Sequence, residues 1–123
     1  MRMVKKGEVY KYRVSKRETE GTELMKTRWG VIFSTDFLNR WKKRFVIIPL
    51  TSKKLGEIYH YEVRTFADSK HGKALIDQIK TINKSRLIEK LGQLSEKEMD
   101  AIHEKLLGIF DLWEYLKKKK ELV

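Results

Sequence analysis

The sequence predicts an α+β domain, mainly β: a small, strongly bent sheet or barrel of five or so short strands, closed by a C-terminal amphipathic helix. Three observations predict it. The first two-thirds of the 123 residues carry period-two alternation and short apolar runs of β-forming residues. The last third switches to helical spacing behind a capping signal. No internal repeat, low-complexity linker or second composition regime interrupts the chain, so residues 1–123 read as one domain. Patterning alone leaves SH3-like, OB-like and other small barrels open.

Taken in order, Glu8–Val14 alternates, with Tyr10, Tyr12 and Val14 on one face and Val9, Lys11 and Arg13 on the other. Residues 15–27 are polar, contain Gly21 and read as a long loop, the kind of segment that carries function in small domains. Trp29–Ser34 and Phe45–Leu50 are apolar and β-rich and read as buried strands, joined by a polar and aromatic connection over Thr35–Arg44. Pro49 cannot donate to a ladder, so it belongs at a strand end or an unpaired position. Glu57–Thr65 alternates, with Tyr59, Tyr61, Val63 and Thr65 on one side, and Ala74–Ile82 is a further strand-like stretch. Asn83–Leu94 is ambiguous, because its leucines have helical spacing but Gly92 interrupts them. Ser95 and Glu98 fit a capping box. Met99, Ile102, Leu106, Ile109, Phe110, Trp113 and Leu116 then predict one amphipathic helix from about Glu96 to the Lys117–Lys120 run, whose cations suit a helix C-terminus.

Charge narrows the function. Lys and Arg total 28 against 17 Asp and Glu, a net +11. Such an excess points to a polyanionic partner, nucleic acid first and an anionic membrane surface second. Twenty Lys and twelve Glu against two Asn and two Gln resemble the bias of heat-tolerant proteins, which accounts for many charges but not for their imbalance. The absence of Cys removes disulfides, thiolate metal sites and Cys nucleophiles. With no membrane-spanning run and no signal-peptide core, the expected location is the cytoplasm. His60, His71 and His103 stand apart, without metal-ligand spacing, and read as surface residues; no phosphate-cradling Gly-rich loop is present. No metal or cofactor is expected.

What remains is basic and aromatic. Phe37, Arg40, Trp41, Lys42, Lys43, Arg44 and Phe45 interleave cations with rings, as do Lys26, Arg28 and Trp29. Cations neutralise phosphates and rings stack on unpaired bases. The 37–45 segment reads equally well as a solvated charged loop with its rings tucked under the barrel.

Six short motifs follow one another along the chain: Lys6-Gly7-Glu8-Val9-Tyr10, Gly21-Thr22-Glu23-Leu24, Arg28, Ser34-Thr35-Asp36-Phe37-Leu38-Asn39-Arg40, Pro49-Leu50-Thr51-Ser52, and the stretch Asp77-Gln78-Ile79-Lys80-Thr81-Ile82-Asn83-Lys84-Ser85-Arg86-Leu87. Their order, from about Lys6 to Leu112, resembles the MazF/PemK family of toxins from bacterial toxin–antitoxin pairs. Each motif alone is weak; their order and spacing are specific.

The resemblance implies an SH3-like barrel with a C-terminal helix, a tight helical turn over 84–87 and a strand over Glu89–Leu94. It implies a homodimer, neutralised by a cognate antitoxin, that cuts single-stranded RNA without a metal. Arg28 and Thr51 match the family's catalytic Arg and Thr, and Glu23 is an accessory candidate. Thr27, Trp29, Asn39, Ser52, Lys53, Gln78 and Lys80 are the matching candidates for RNA contact. Along a continuous strand, Gln78 and Lys80 would share a face with Ile76 and Ile82. A guanidinium offers fixed donors and permanent charge to a phosphate, and a Thr hydroxyl can donate to a non-bridging oxygen. The plain structural alternatives are a surface ion pair for Arg28 and a strand-end hydroxyl for Thr51. One departure stands out: the family has Pro after its catalytic Arg, and here Trp29 and Gly30 follow. Either the loop geometry differs or Trp29 supplies a stacking surface. Residues 113–123 form a basic extension. The rival functions are a non-catalytic nucleic-acid-binding barrel and a CcdB-like toxin that inhibits DNA gyrase.

Overall fold

A computed structural model describes residues 3–14 and 26–121. Among these described residues, seven strands build one antiparallel sheet: β1 (Glu8–Arg13), β2 (Thr27–Ile32), β3 (Arg44–Thr51), β4 (Glu62–Ala67), β5 (Lys70–Leu75), β6 (Lys80–Asn83) and β7 (Leu87–Gln93). Their spatial order is β4-β5-β3-β2-β1-β7, with β6 paired to β3. Short α1 (Asp36–Trp41) joins β2 to β3, and α2 (Glu96–Ile109) and α3 (Leu112–Glu121) follow the sheet. The sheet curls until its ends approach. A β-carbon on Gly92 of β7 would stand 3.6 Å from the Asp68 nitrogen of the β4–β5 turn. Two register shifts between β1 and β7 supply part of that curvature.

The alternation in β1 divides the core in two. Val9 joins Val31, Ile48, Leu50, Ala74 and Ile76 under Ile102 and Leu106 of α2. Tyr10, Tyr12 and Val14 turn to the other face and pack with Ile32, Phe45, Ile47 and Ile82. Gly7, at φ +94°, turns the chain into β1, donating to Ile32 O at 2.8 Å and accepting from Leu94 N at 2.9 Å. Its neighbour Glu8 is buried and held by Lys90 Nζ at 2.7 Å and Lys5 N at 2.8 Å.

Pro49 lies inside β3, opposite Gly30, not at a strand end. It is tolerated because β6 pairs only with residues up to Ile47 and β5 only with Leu50 and Thr51. Val46 O faces β2, accepting from Phe33 N at 2.8 Å, so alternation turns the Pro49 nitrogen into the gap between β6 and β5. Pro49 thus occupies an unpaired position on that side of β3.

Four element readings need correction. The 35–44 connection contains α1, capped by Thr35 Oγ1, which accepts from Leu38 N. The strand expected from Glu57 begins at Glu62, because the Glu62 carboxylate accepts from Tyr59 N at 3.0 Å and holds the chain in a turn. Ala74–Ile82 divides into the end of β5, a 3₁₀ turn over Ile76–Gln78 and the start of β6. The single long helix breaks at Asp111, whose φ of +54° lies in the left-handed region, and α3 takes a new direction. Only Ile102 and Leu106 of the predicted apolar stripe are buried; Ile109, Phe110, Trp113 and Leu116 are exposed. The turn over Lys84–Arg86 and the following strand β7 resolve the ambiguous stretch as the family resemblance implied.

Candidate active site

Arg28 is the second residue of β2, opposite Tyr12 of β1, and its side chain is exposed. Thr51 closes β3. The β2–β3 register pairs Trp29 with Leu50, and continuing it by one residue sets Arg28 across from Thr51. On its other side Thr51 pairs with Lys73 of β5, and Lys73 with Arg64 of β4. Directly opposed residues share a face, so Arg28 and Thr51 stand in one row near the end of the sheet.

Two clefts meet at that row. One, of about 260 Å³, is lined by Thr27, Arg28, Trp29, Thr51, Ser52 and Lys53 on one side and by Lys70 and His71 of β5 on the other. The second, of about 440 Å³, is lined by Arg28, Thr51, Gln78 and Lys80 together with Tyr12 and Pro49. Arg28 and Thr51 line both. Thr51 Oγ1 accepts from Lys53 N at 3.1 Å, which fixes the oxygen and leaves its proton to donate. Lys70 Nζ stands 5.0 Å from the centre of the Trp29 ring, which also packs against the core under α2. Trp29 therefore keeps a rigid, half-buried place where the family has Pro.

Gly30 is required by packing. A β-carbon there would lie 2.6 Å from Ile47 Cδ1 and 3.0 Å from Tyr12 Cε1. Close approach at Gly30 lets β2 pack directly on Ile47 and Tyr12 of the second core, next to Arg28.

Of the ten residues singled out from the sequence, eight line these clefts: Thr27, Arg28, Trp29, Thr51, Ser52, Lys53, Gln78 and Lys80. Glu23 lies outside the described residues. Asn39 reaches neither cleft. It is buried in α1, donates from Nδ2 to Ser34 O at 3.0 Å and accepts from Ser34 Oγ, so it ties α1 to the end of β2. Gln78 does not share a strand face with Ile76; the 3₁₀ turn buries Ile76 and leaves Gln78 exposed. Arg28 makes no ion pair among the described residues. Lys70 and His71 were missed, because strand β5 is disguised by the charges of Lys-His-Gly-Lys. Its signal was the Asp68-Ser69 pair, whose φ values of +50° and +59° make the two-residue hairpin turn between β4 and β5.

Buried beside the site is an ion pair. Lys73 Nζ lies 2.9 Å from Glu62 Oε1 and donates to Glu57 O at 2.9 Å and Lys54 O at 3.2 Å. It holds the segment between β3 and β4 against the sheet. Burial alone would raise the Glu62 carboxyl, but the hydrogen bonds from Lys73 and the Tyr59 N–H, with the Lys73 charge, hold it below its ordinary value.

A curled antiparallel sheet with cationic and hydroxyl groups at the end of its central strands defines a class of small basic half-barrels. The sequence narrows the class. Residues 5–110 match the family described as PemK-like, MazF-like toxin of type II toxin–antitoxin system, and the chain belongs to that family. It is 29% identical over 105 residues to Endoribonuclease MazF of Staphylococcus saprophyticus, covering 82% of this chain and 86% of that protein. Among solved structures it resembles MazE–MazF from Deinococcus radiodurans, with TM-score 0.77, 20% identity and 91% and 99% of the two chains covered. It also resembles a mycobacterial endoribonuclease in complex with its cognate antitoxin, with TM-score 0.74, 22% identity and 89% and 96% covered. These structural likenesses establish the fold.

Proposed function

We propose that the protein is the toxin of a toxin–antitoxin pair and a sequence-selective endoribonuclease that cuts single-stranded RNA. The observation that carries the reading is the position of Arg28 and Thr51. Residues far apart in sequence share one row and the wall common to two clefts, one flanked by Lys53 and Lys70, the other by Lys80. A strand of RNA laid through both clefts would present its phosphate at that wall.

The chemistry follows from the groups. The ribose 2′-oxygen attacks phosphorus, the bond from phosphorus to the 5′-oxygen breaks, and a 2′,3′-cyclic phosphate and a 5′-hydroxyl result. Charge grows on the non-bridging oxygens, where the Arg28 fork and the Thr51 hydroxyl would donate. One proton must leave the 2′-oxygen and one must reach the 5′-oxygen. His71 lines the same cleft, and an imidazole can both accept and donate a proton; Glu23 is the second candidate. A lining of Arg and Lys attracts phosphate and repels divalent cations, so the reaction runs without a metal.

Trp29, Ser52, Lys53, Gln78 and Lys80 supply base and backbone contacts. The protein acts in the cytoplasm, pairs with a second copy of itself and is neutralised by an antitoxin. Exposed Phe110, Trp113, Tyr115 and Leu116 at the α2–α3 bend give such partners an apolar surface. No helix among the described residues is long and apolar enough to cross a membrane.

Incubation of a long unstructured RNA with the protein in EDTA tests the activity. Discrete cuts ending in cyclic phosphate are expected. Binding without cutting would support the non-catalytic rival, and gyrase inhibition without cutting would support the other toxin class.

A further inference from the structure

We propose that a separate groove, lined by Arg13, Arg44 and Arg86, holds the phosphodiester backbone of the RNA strand as it runs on from the cut site. The inference rests on the nuclease reading and extends it to substrate length. Three elements bring the arginines together. Arg13 ends β1, Arg44 begins β3 opposite Asn83 of β6, and Arg86 ends the 3₁₀ turn that carries the chain to β7. They surround a hollow of about 230 Å³ that also exposes Thr81 and Asn83. Asn83 Oδ1 already accepts from Ser85 N at 3.0 Å, which leaves its amide N–H groups to donate.

Among the described residues no carboxylate stands within ion-pair distance of any of the three, whereas Glu8, Glu62 and Glu89 each hold a lysine. Three guanidiniums converging without a counter-charge among the described residues repel one another, and a phosphate is the anion their planar forks fit. Continuity selects RNA over a free anion. The cleft of Arg28, Thr51 and Lys80 shares Tyr12 with this groove, and the groove shares Arg44 and Thr81 with a hollow beside Lys42 and Lys43. Thr51 and Arg44 stand at opposite ends of β3, which at about 3.3 Å per residue separates them by about 23 Å. That is the reach of roughly seven phosphates at the stacked spacing, and fewer in a drawn-out strand.

The test compares the full-length protein with a variant carrying Arg13→Ala, Arg44→Ala and Arg86→Ala. The substrates are RNAs of about five and about fifteen nucleotides around one mapped cut site, together with an uncleavable 2′-O-methyl form of the longer one. Each lost phosphate contact should lower the slope of log affinity against log salt by about 0.7, so the triple variant should lose about 2. Its affinity for the long uncleavable RNA should fall at least about tenfold at low salt, and the long RNA's advantage in kcat/KM over the short one should shrink by a similar factor. The corresponding triple Lys variant should keep most of the slope while losing part of the affinity; it also serves if the Ala variant does not fold.

An unchanged slope and an unchanged length advantage would overturn the proposal. So would loss of binding to an Asp/Glu-rich peptide with long-RNA binding intact, which would assign the groove to an acidic protein partner. If the parent protein cuts no RNA, the nuclease reading falls. The salt slope on the uncleavable strand then decides the groove by itself.

Discussion

At the residue scale, the function rests on whether Arg28 and Thr51 act on a phosphate. Arg28→Ala should reduce RNA cleavage by on the order of 10²–10³ or more, the usual cost of one transition-state donor. Arg28→Lys should not rescue it, because Lys keeps the charge and loses the fork. Thr51→Ala should cost less, since water can replace one hydroxyl. Gel cleavage in EDTA measures all three, with thermal melts as folding controls, and a folded Arg28→Ala that cuts within about tenfold of the parent sinks the assignment. The buried Glu62–Lys73 pair yields a stability test. Lys73→Ala strands a buried carboxylate and should destabilise by about 3–5 kcal/mol. The carboxyl of Glu62 lies below its reference value of 4.5, so the stability it contributes is present above that pH and is lost as pH falls through the lower folded value. Urea midpoints measured below pH 4.5 should therefore fall more steeply for the parent than for a Glu62→Gln, Lys73→Met double variant. Parallel curves would show that the pair does not report on acid stability.

At the element scale, the start of α2 is tied down twice. Ser95 Oγ accepts from Glu98 N at 3.1 Å, and Glu98 Oε1 accepts from Ser95 N at 2.8 Å, the reciprocal cap that the sequence signalled. Glu98 Oε2 also accepts from Phe66 N at 2.6 Å, which fastens the helix to the β4 edge of the sheet. Ser95→Ala should cost about 0.5–2 kcal/mol, and Glu98→Ala should cost more because it releases the β4 contact as well. Chemical denaturation ranks the two, and an equal loss would mean that the Phe66 bond adds nothing. Gly30 tests the close packing of β2. A methyl group there meets the fully buried Ile47, so Gly30→Ala should destabilise by about 1–3 kcal/mol. A melt at or above the parent's would show that the second core yields freely.

At the scale of the whole molecule, net charge and unpartnered apolar surface dominate. Affinity for RNA should fall steeply with salt. Replacing Lys42, Lys43 and Arg44 together by Ala should lower that slope more than replacing Lys117–Lys120. The first set borders the track of clefts along β3, while the second sits exposed on α3 and lines none of these clefts. The exposed rings at the α2–α3 bend lead us to expect a dimer in solution. Scattering that gives a monomer at concentrations in the tens of micromolar would count against it.

The sequence by itself determined the mainly β class, the two-faced β1, the helix start at Ser95 and Glu98, and the candidate pair Arg28 and Thr51. Each of these is written in local order: alternation, a cap spacing, a motif. Only the tertiary structure decided what distant segments do together. It placed Asn39 in a buried bond to Ser34 rather than in a cleft, since α1 packs that residue inward. It revealed β5, whose charges hid it because Lys73 is paid for by Glu62 across the hairpin rather than by solvent. It ended α2 at Ile109, because an apolar stripe in sequence carries no information on where the sheet beneath it stops. It also brought Arg13, Arg44 and Arg86 into one groove, a convergence that depends on the curl of the sheet and that no spacing along the chain could display.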